Sequence, residues 1–345
     1  MITKVNKMKI LGITPHNPNF ENTPEELYLL KLKDLGHIVI LEENPTEVSN
    51  DVAVIAAMSE VSCELAHKLS TKFQIPYYAH MEWIPVWRVF KESEKEWGMD
   101  VSHTPMSYNQ KIAMIRTYSN YCFHWMNADV RSLAANCFKE HTKEFIGMEM
   151  SIHAKYLGPD TEKIMDFIDT NDLEKENEIT CISRFVPHKR IHHIIEALNK
   201  IQFKGVLNLV GYGEEKRLYE DVKEDIEIKY FDSKYKFDCL ARSKVCVALW
   251  SGIVPAEAMY LDTPCVTYES LYMRELYGDM LIYAKNNDIE DLAEKIFQTL
   301  ELSDEERNNI TSDGVNAIET GEINTLPLNQ TVKKLESFLL EAIGK

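Results

Sequence analysis

With 345 residues, 45% of them hydrophobic, the chain is long enough for two buried cores and has the composition of a globular protein. Its formal net charge of −17 argues against broad contact with nucleic acid or an anionic membrane surface. Seven scattered cysteines, odd in number and without a CxxC pair, point to reduced core thiols rather than disulfides or a zinc site.

In chain order, Lys9 to Thr14 is predicted as a short strand. The opening segment Met1 to Thr14 lacks the apolar length of a signal peptide, and no run approaches the roughly 18 apolar residues of a membrane span, so a cytoplasmic location is expected. After a loop rich in Pro and Asn, Thr23-Pro24-Glu25-Glu26 places an N-cap residue before a first-turn proline and marks a helix start. Gly36-His37 closes that helix, and Ile38 to Leu41, Val52 to Ala57 and Ile75 to Ala79 are apolar runs of strand length. Val61 to Phe73 has helical spacing, with Val61, Leu65 and Leu69 on one face. Asp129 to Leu133 and Ser151 to Leu157 continue the alternation, which implies a parallel sheet covered on both sides.

The polar stretch Gly158 to Asn177 reads as a domain boundary. Beyond it the strands Ile179–Ile182, Val206–Val210, Ile226–Tyr230, Val245–Leu249, Pro264–Thr267 and Met280–Tyr283 alternate with helices. Ile191, Ile194, Ile195, Leu198 and Ile201 form a sheet-packing stripe. Asn329 to Ile343 is amphipathic. The expected architecture is two doubly wound domains, residues 1–160 and 161–326, facing a central cleft, with a C-terminal helix over 327–345 that packs back toward the first domain.

Three loops at the carboxyl ends of predicted strands carry the candidate chemistry, since open α/β sheets bind ligands there. Arg184 and Lys189 sit between a strand and a helix and suit a diphosphate; their alternative is a solvated surface, where Arg190 is placed. Gly211 and Gly213 flank Tyr212 after a strand, either admitting a ligand or making an ordinary turn. No third glycine extends the pair, which disfavours a nicotinamide dehydrogenase. Glu257 follows Gly252, Ile253, Val254 and Pro255 at a helix start, where it either accepts hydrogen bonds from ribose hydroxyls or complements the helix dipole. The aromatic segment Trp83 to Phe90, with Trp87 and Arg88, could stack on a sugar or base or belong to a core. No D-x-D sequence occurs, so no metal–diphosphate ligand is expected.

Ile179 to Leu198, Leu207 to Gly213 and Ser251 to Thr267 resemble the C-terminal nucleotide-binding domain of retaining glycosyltransferases of family 4, whose two Rossmann-like domains form the GT-B fold. The likeness is weaker at Gly36 to Val39 and Tyr156 to Asp160. It implies that Arg184 and Lys189 are the diphosphate-binding pair, that Glu257 is the second glutamate of an E-x7-E motif, and that His80 lies at the sugar end of the cleft. Leu249 stands where the first glutamate would, Ser183 replaces a glycine, and the glycine-rich first loop is replaced by Thr14 to Asn19. Ser183, Gly211, Gly213 and the backbone around Gly252, Ile253 and Val254 are the further donor contacts.

The implied activity is transfer, with retention, of a sugar from a UDP- or GDP-linked donor to a hydroxyl of a glycan, lipid-linked or small-molecule acceptor, without metal or cofactor. The acceptor is expected near His80, Glu82, Trp83, Trp87 and Arg88. The rivals are an epimerase or phosphorylase on the same fold, a nucleotide-binding protein without catalysis, and a transferase acting on hydroxymethylated DNA bases. The last would set Trp83 and Trp87 against a flipped base, with Arg88, Lys91, Lys111 and Arg116 on the backbone.

Overall fold

The structure is a computed structural model that describes residues 7–14, 23–81, 108–138, 151–154, 158–171, 173–186, 189–213 and 226–344. The described residues divide into two compact units: 7–81, 108–154 and 328–344 form the first, and 158–327 the second.

The first unit is built on six parallel strands in the order β2-β1-β3-β4-β5-β6. They are β1 (Lys9–Ile13), β2 (Ile38–Glu42), β3 (Val54–Ala57), β4 (Tyr77–Met81), β5 (Val130–Leu133) and β6 (His153–Ala154). Every residue of β3 and β4 is buried, the pattern of inner strands covered on both faces. Helix α1 (Pro24–Lys31) starts at a capping box: Glu26 N–H donates to Thr23 Oγ1 (3.2 Å) and Thr23 N–H to Glu26 Oε2 (2.8 Å). Helix α2 (Glu60–Phe73) buries Cys63, Ala66 and Leu69; of the expected face Leu69 is buried, Leu65 is half-buried and Val61 is 61% exposed. The small side chains of Cys63 and Ala66 mark the side on which the helix meets its neighbours. Helix α3 (Tyr108–Met126), not anticipated from the sequence, packs on α2. His80 lies within β4 rather than after a strand, because the strand runs two residues later than expected.

The second sheet is also wholly parallel, in the order β12-β11-β10-β7-β8-β9. Its strands are β7 (Glu176–Ile182), β8 (Val206–Val210), β9 (Glu227–Phe231), β10 (Ser243–Val247), β11 (Cys265–Tyr268) and β12 (Ile282–Ala284). The chain winds outward from β7 to β9, returns to the centre at β10 and winds the other way, so the winding reverses between β7 and β10. The stretch read as a boundary holds helix α4 (Thr161–Thr170), capped by Asp160, whose carboxylate accepts from Lys163 N–H at 3.3 Å. Ile164 alone among its residues is buried, which is why its composition reads as a linker.

Helix α5 (Ile191–Lys200) buries Ile191, Ile194, Ile195 and Leu198 against the sheet, beside Leu207, Leu209, Val245 and Val247. Helices α6 (Lys236–Arg242), α7 (Val254–Tyr260), α8 (Leu271–Tyr277), α9 (Ile289–Leu300) and α10 (Asp304–Thr320) complete this unit. Helix α11 (Leu328–Ile343) belongs to the first unit. There Phe338 stacks on Tyr78 and His153, and Glu336 bonds His37 at 2.7 Å. None of the seven cysteines forms a disulfide, and five of them are buried.

Candidate functional site at the strand-order reversal

A parallel open sheet leaves a crevice outside the carboxyl ends of its strands where the winding reverses, because the flanking connections depart to opposite faces. In the second unit those strands are β7 and β10, and the loops leaving them run through 183–190 and 248–253. Two cations tie the loops together. The Lys189 ammonium donates to the Trp250 carbonyl. The Arg190 guanidinium lies 5.7 Å from the Trp250 ring centroid and donates to Asn286 Oδ1 at 3.5 Å. Arg190 is fully buried, contrary to its expected surface position. An aromatic face and an amide oxygen offset the desolvation of a delocalised cation better than that of a compact ammonium.

The backbone records the same constraint. Arg190, which opens α5, has φ 51°, and Trp250 has φ 63°. A bulky residue in the left-handed region costs on the order of 1–3 kcal/mol and persists only where its surroundings fix it. On the far side of the loop, Tyr277 donates its hydroxyl to the Gly252 carbonyl at 2.6 Å. Burial pushes the Tyr277 pKa upward, so the hydroxyl keeps the proton it donates.

Gly211 and Gly213 are explained by their neighbours. The β7–β8 ladder continues beyond both strands, with Ser183 N–H donating to Val210 O (3.0 Å) and Phe185 N–H to Tyr212 O (2.7 Å). The glycines adopt φ +140° and +153°, and a Cβ on them would stand 2.0 Å from Ser183 O and 2.3 Å from Phe185 O. The pair therefore lets two backbones approach and shapes the Ser183–Phe185 turn, from which Arg184 projects exposed.

Glu257 lies on α7, whose first turn carries Pro255, and is 5% exposed. Its Oε1 is 2.5 Å from the Lys236 ammonium, which reaches over from the start of α6. Lys236 escaped the sequence reading, since nothing in the spacing pairs residues from two different crossovers. Val254 is buried, Gly252 and Ile253 are half-buried, and Ile253 gives the helix no side-chain cap.

His80, in the first unit, is 1% exposed. Its Nδ1 is 2.8 Å from Ser132 Oγ, which also meets the Tyr78 hydroxyl at 2.5 Å. Glu82, Trp83, Trp87, Arg88 and Lys91 lie outside the described residues, as do Pro187 and His188; Arg116 is exposed on α3, which also carries Lys111. Among the described residues, no group of three or more His, Cys, Asp or Glu could hold a metal, and no helix is long and apolar enough to cross a membrane.

Solved structures share the fold over nearly their whole length. Anabaena HepE in complex with UDP and glucose superimposes with a TM-score of 0.68 at 14% identity, covering 96% of this chain and 99% of that one. Sucrose-phosphate synthase from Thermosynechococcus elongatus gives a TM-score of 0.67 at 13% identity, covering 97% of each chain. An E. coli structure described as trehalose-6-phosphate, bound with UDP-2-fluoro glucose, gives 0.68 at 10% identity, covering 96% and 98%. No curated protein sequence matches the chain. The fold is thus that of the GT-B glycosyltransferases, two Rossmann-like parallel-sheet units. Residues 163–316, which carry every loop at the reversal of the second sheet, match the family of glycosyl transferases group 1.

Proposed function

We propose that this chain is a retaining glycosyltransferase of the family 4 type, working in the cytoplasm. It takes a sugar from a UDP- or GDP-linked donor and passes it to a hydroxyl of a glycan, lipid-linked or small-molecule acceptor. The observation that carries the reading is the Lys189–Trp250 tie across the sheet reversal, with the buried Glu257 carboxylate on the helix that leaves the same loop. The group 1 match over residues 163–316 and the UDP and glucose named with HepE support it.

In this mechanism the bond between the anomeric carbon and the diphosphate breaks, the acceptor oxygen bonds to the same face of the sugar, and the acceptor hydroxyl's proton passes to the departing diphosphate. Arg184 supplies a planar fork of donors and Lys189 a point charge held at the reversal, both aimed at the charge that grows on the leaving diphosphate. Fixed cations take the part that a metal plays elsewhere. Glu257 accepts from the ribose hydroxyls, and backbone N–H groups near Gly252 and Ile253 hold the donor sugar, in place of the glutamate that Leu249 replaces. His80 is the residue proposed to act on the sugar, and Glu82, Trp83, Trp87 and Arg88 are those proposed to bind the acceptor.

Turnover with a panel of UDP- and GDP-sugars and several hydroxyl acceptors, modified DNA among them, is the test. Arg184→Ala and Lys189→Ala should each slow transfer about tenfold or more, a loss of about 1.4 kcal/mol of transition-state stabilisation or greater. Wild-type rates in both folded variants would remove the phosphate site, and transfer to DNA alone would replace the acceptor class.

A further inference from the structure

We infer that Lys236 is a positioning residue for the nucleotide: it orients the Glu257 carboxylate toward the ribose and thereby sets the preference for ribo- over 2′-deoxyribonucleotides. The inference rests on the reading of Glu257 as the ribose acceptor.

The side chain of Glu257 is only 6% exposed, while that of Lys236 is 30% exposed. The pair thus spans the edge between the interior and solvent. A carboxylate taken out of water with no cation beside it is strongly disfavoured, so the ammonium is part of what lets Glu257 be there at all. Lys236 takes Oε1 at 2.5 Å. A carboxylate has about four acceptor positions on its two oxygens, so Oε2 and the rest of Oε1 still serve a pair of hydroxyls.

The cation is placed independently of α7. A 3₁₀ turn at Ser233–Tyr235 precedes it, capped by Asp232, whose Oδ1 accepts from Lys234 N–H at 3.2 Å. The next residue, Phe237, is buried and packs on Phe167, with centroids 5.7 Å apart. Lys236 is therefore held from both sides along the backbone, and its ammonium lies 4.8 Å from the Phe237 ring centroid, where its bond to Oε1 restricts rotation of the carboxylate. A site that hydrogen-bonds a hydroxyl rejects the ligand that lacks it only when the acceptor is held in place and left unpaired by that ligand.

The affinities of UDP, 2′-deoxyUDP, GDP, 2′-deoxyGDP and pyrophosphate for the full chain test this by calorimetry, in wild type and in Glu257→Gln, Lys236→Met, Lys236→Gln and Lys236→Arg. Wild type should prefer the ribonucleotide of its base by about tenfold or more over the 2′-deoxy form. Glu257→Gln and Lys236→Met should both lose most of that preference, with pyrophosphate affinity unchanged, and Lys236→Arg should restore it. If Glu257→Gln loses the preference and Lys236→Met keeps it, the role of Lys236 is wrong and that of Glu257 stands. If Glu257→Gln keeps it, or no ribonucleotide binds wild type, the reading of the site fails first and the inference falls with it. An equal loss of pyrophosphate affinity in Lys236→Met would show a purely structural ion pair and overturn the proposal. Should Lys236→Met not fold, Lys236→Gln decides by the same comparison.

Discussion

Replacing Gly211 by Ala should cost the second unit about 2–4 kcal/mol. Gly211 has φ +140°, and its added Cβ would stand 2.0 Å from the Ser183 carbonyl oxygen, where real contacts begin at 3.0 Å. Backbone must therefore move by about 1 Å, and the atoms that move belong to the turn carrying Arg184. A side chain in this region of φ costs on the order of 1–3 kcal/mol. Stretching the neighbouring bond from Ser183 N–H to Val210 O costs about 0.5–1.5 kcal/mol more. Gly36 is the internal control: its φ is +93°, but nothing lies within 4 Å of an added Cβ, so Gly36→Ala meets backbone strain alone. Urea denaturation of the two variants, followed by tryptophan fluorescence, measures the difference. Gly211→Ala should also raise the donor KM, because the turn it displaces bears Arg184. Equal stability of Gly211→Ala and Gly36→Ala would refute the packing explanation of the glycine pair.

Burial lowers the Lys175 pKa from its ordinary 10.5 to about 7, although the ammonium faces Leu261 O at 2.8 Å and Thr263 Oγ1 at 2.7 Å. Between these values the unfolded chain binds more protons than the folded one. Stability should therefore rise with pH through this window by about 1.4 kcal/mol per unit, with the penalty complete below pH 7. Thermal melts at pH 7 and 9 should show that rise in wild type and a smaller one in Lys175→Met; identical rises would contradict it. Ser132→Ala removes a hydrogen-bond partner of both His80 and Tyr78 in a buried setting and should cost about 1–3 kcal/mol in urea denaturation, the cost of leaving the buried Tyr78 hydroxyl without the Ser132 partner. A change below 1 kcal/mol, roughly the scale of one ordinary hydrogen bond, would mean the trio is not coupled. Transfer activity should persist in EDTA, with Arg184 and Lys189 as the cations; loss of activity that Mg²⁺ or Mn²⁺ restores would give the charge compensation to a metal.

The second sheet was legible because its signals are local. Val206–Val210 is a strand as read, and the stripe of Ile191, Ile194, Ile195 and Leu198 faces the core as its period requires. The Thr23 capping signal likewise starts a helix at Pro24. Errors arose where tertiary context decides. Ile75 and Pro76 are apolar but lie outside β4, which the ladder begins only at Tyr77. Helix α2 faces inward through small residues that carry little hydrophobic signal, and α4 has one buried residue among polar ones. Within the site, the strand-to-helix turns and their glycines could be read from sequence. Two of its features could not, the burial of Arg190 over Trp250 and the Lys236–Glu257 pair, and neither could the Ser132 bridge beneath His80 in the first unit. Each joins residues from elements that meet only when the sheet forms, so no spacing rule encodes it.

The most direct test of the proposed sugar-nucleotide site is calorimetric titration of UDP and of GDP into wild type and Lys189→Ala, with thermal melts to establish that both are folded. One of the two nucleotides should bind wild type and lose about tenfold or more in affinity in the variant, the scale of one charge-assisted contact to phosphate at about 1.5–3 kcal/mol. Binding of neither nucleotide to wild type, or equal affinity in folded Lys189→Ala, would contradict a diphosphate site at the reversal between β7 and β10.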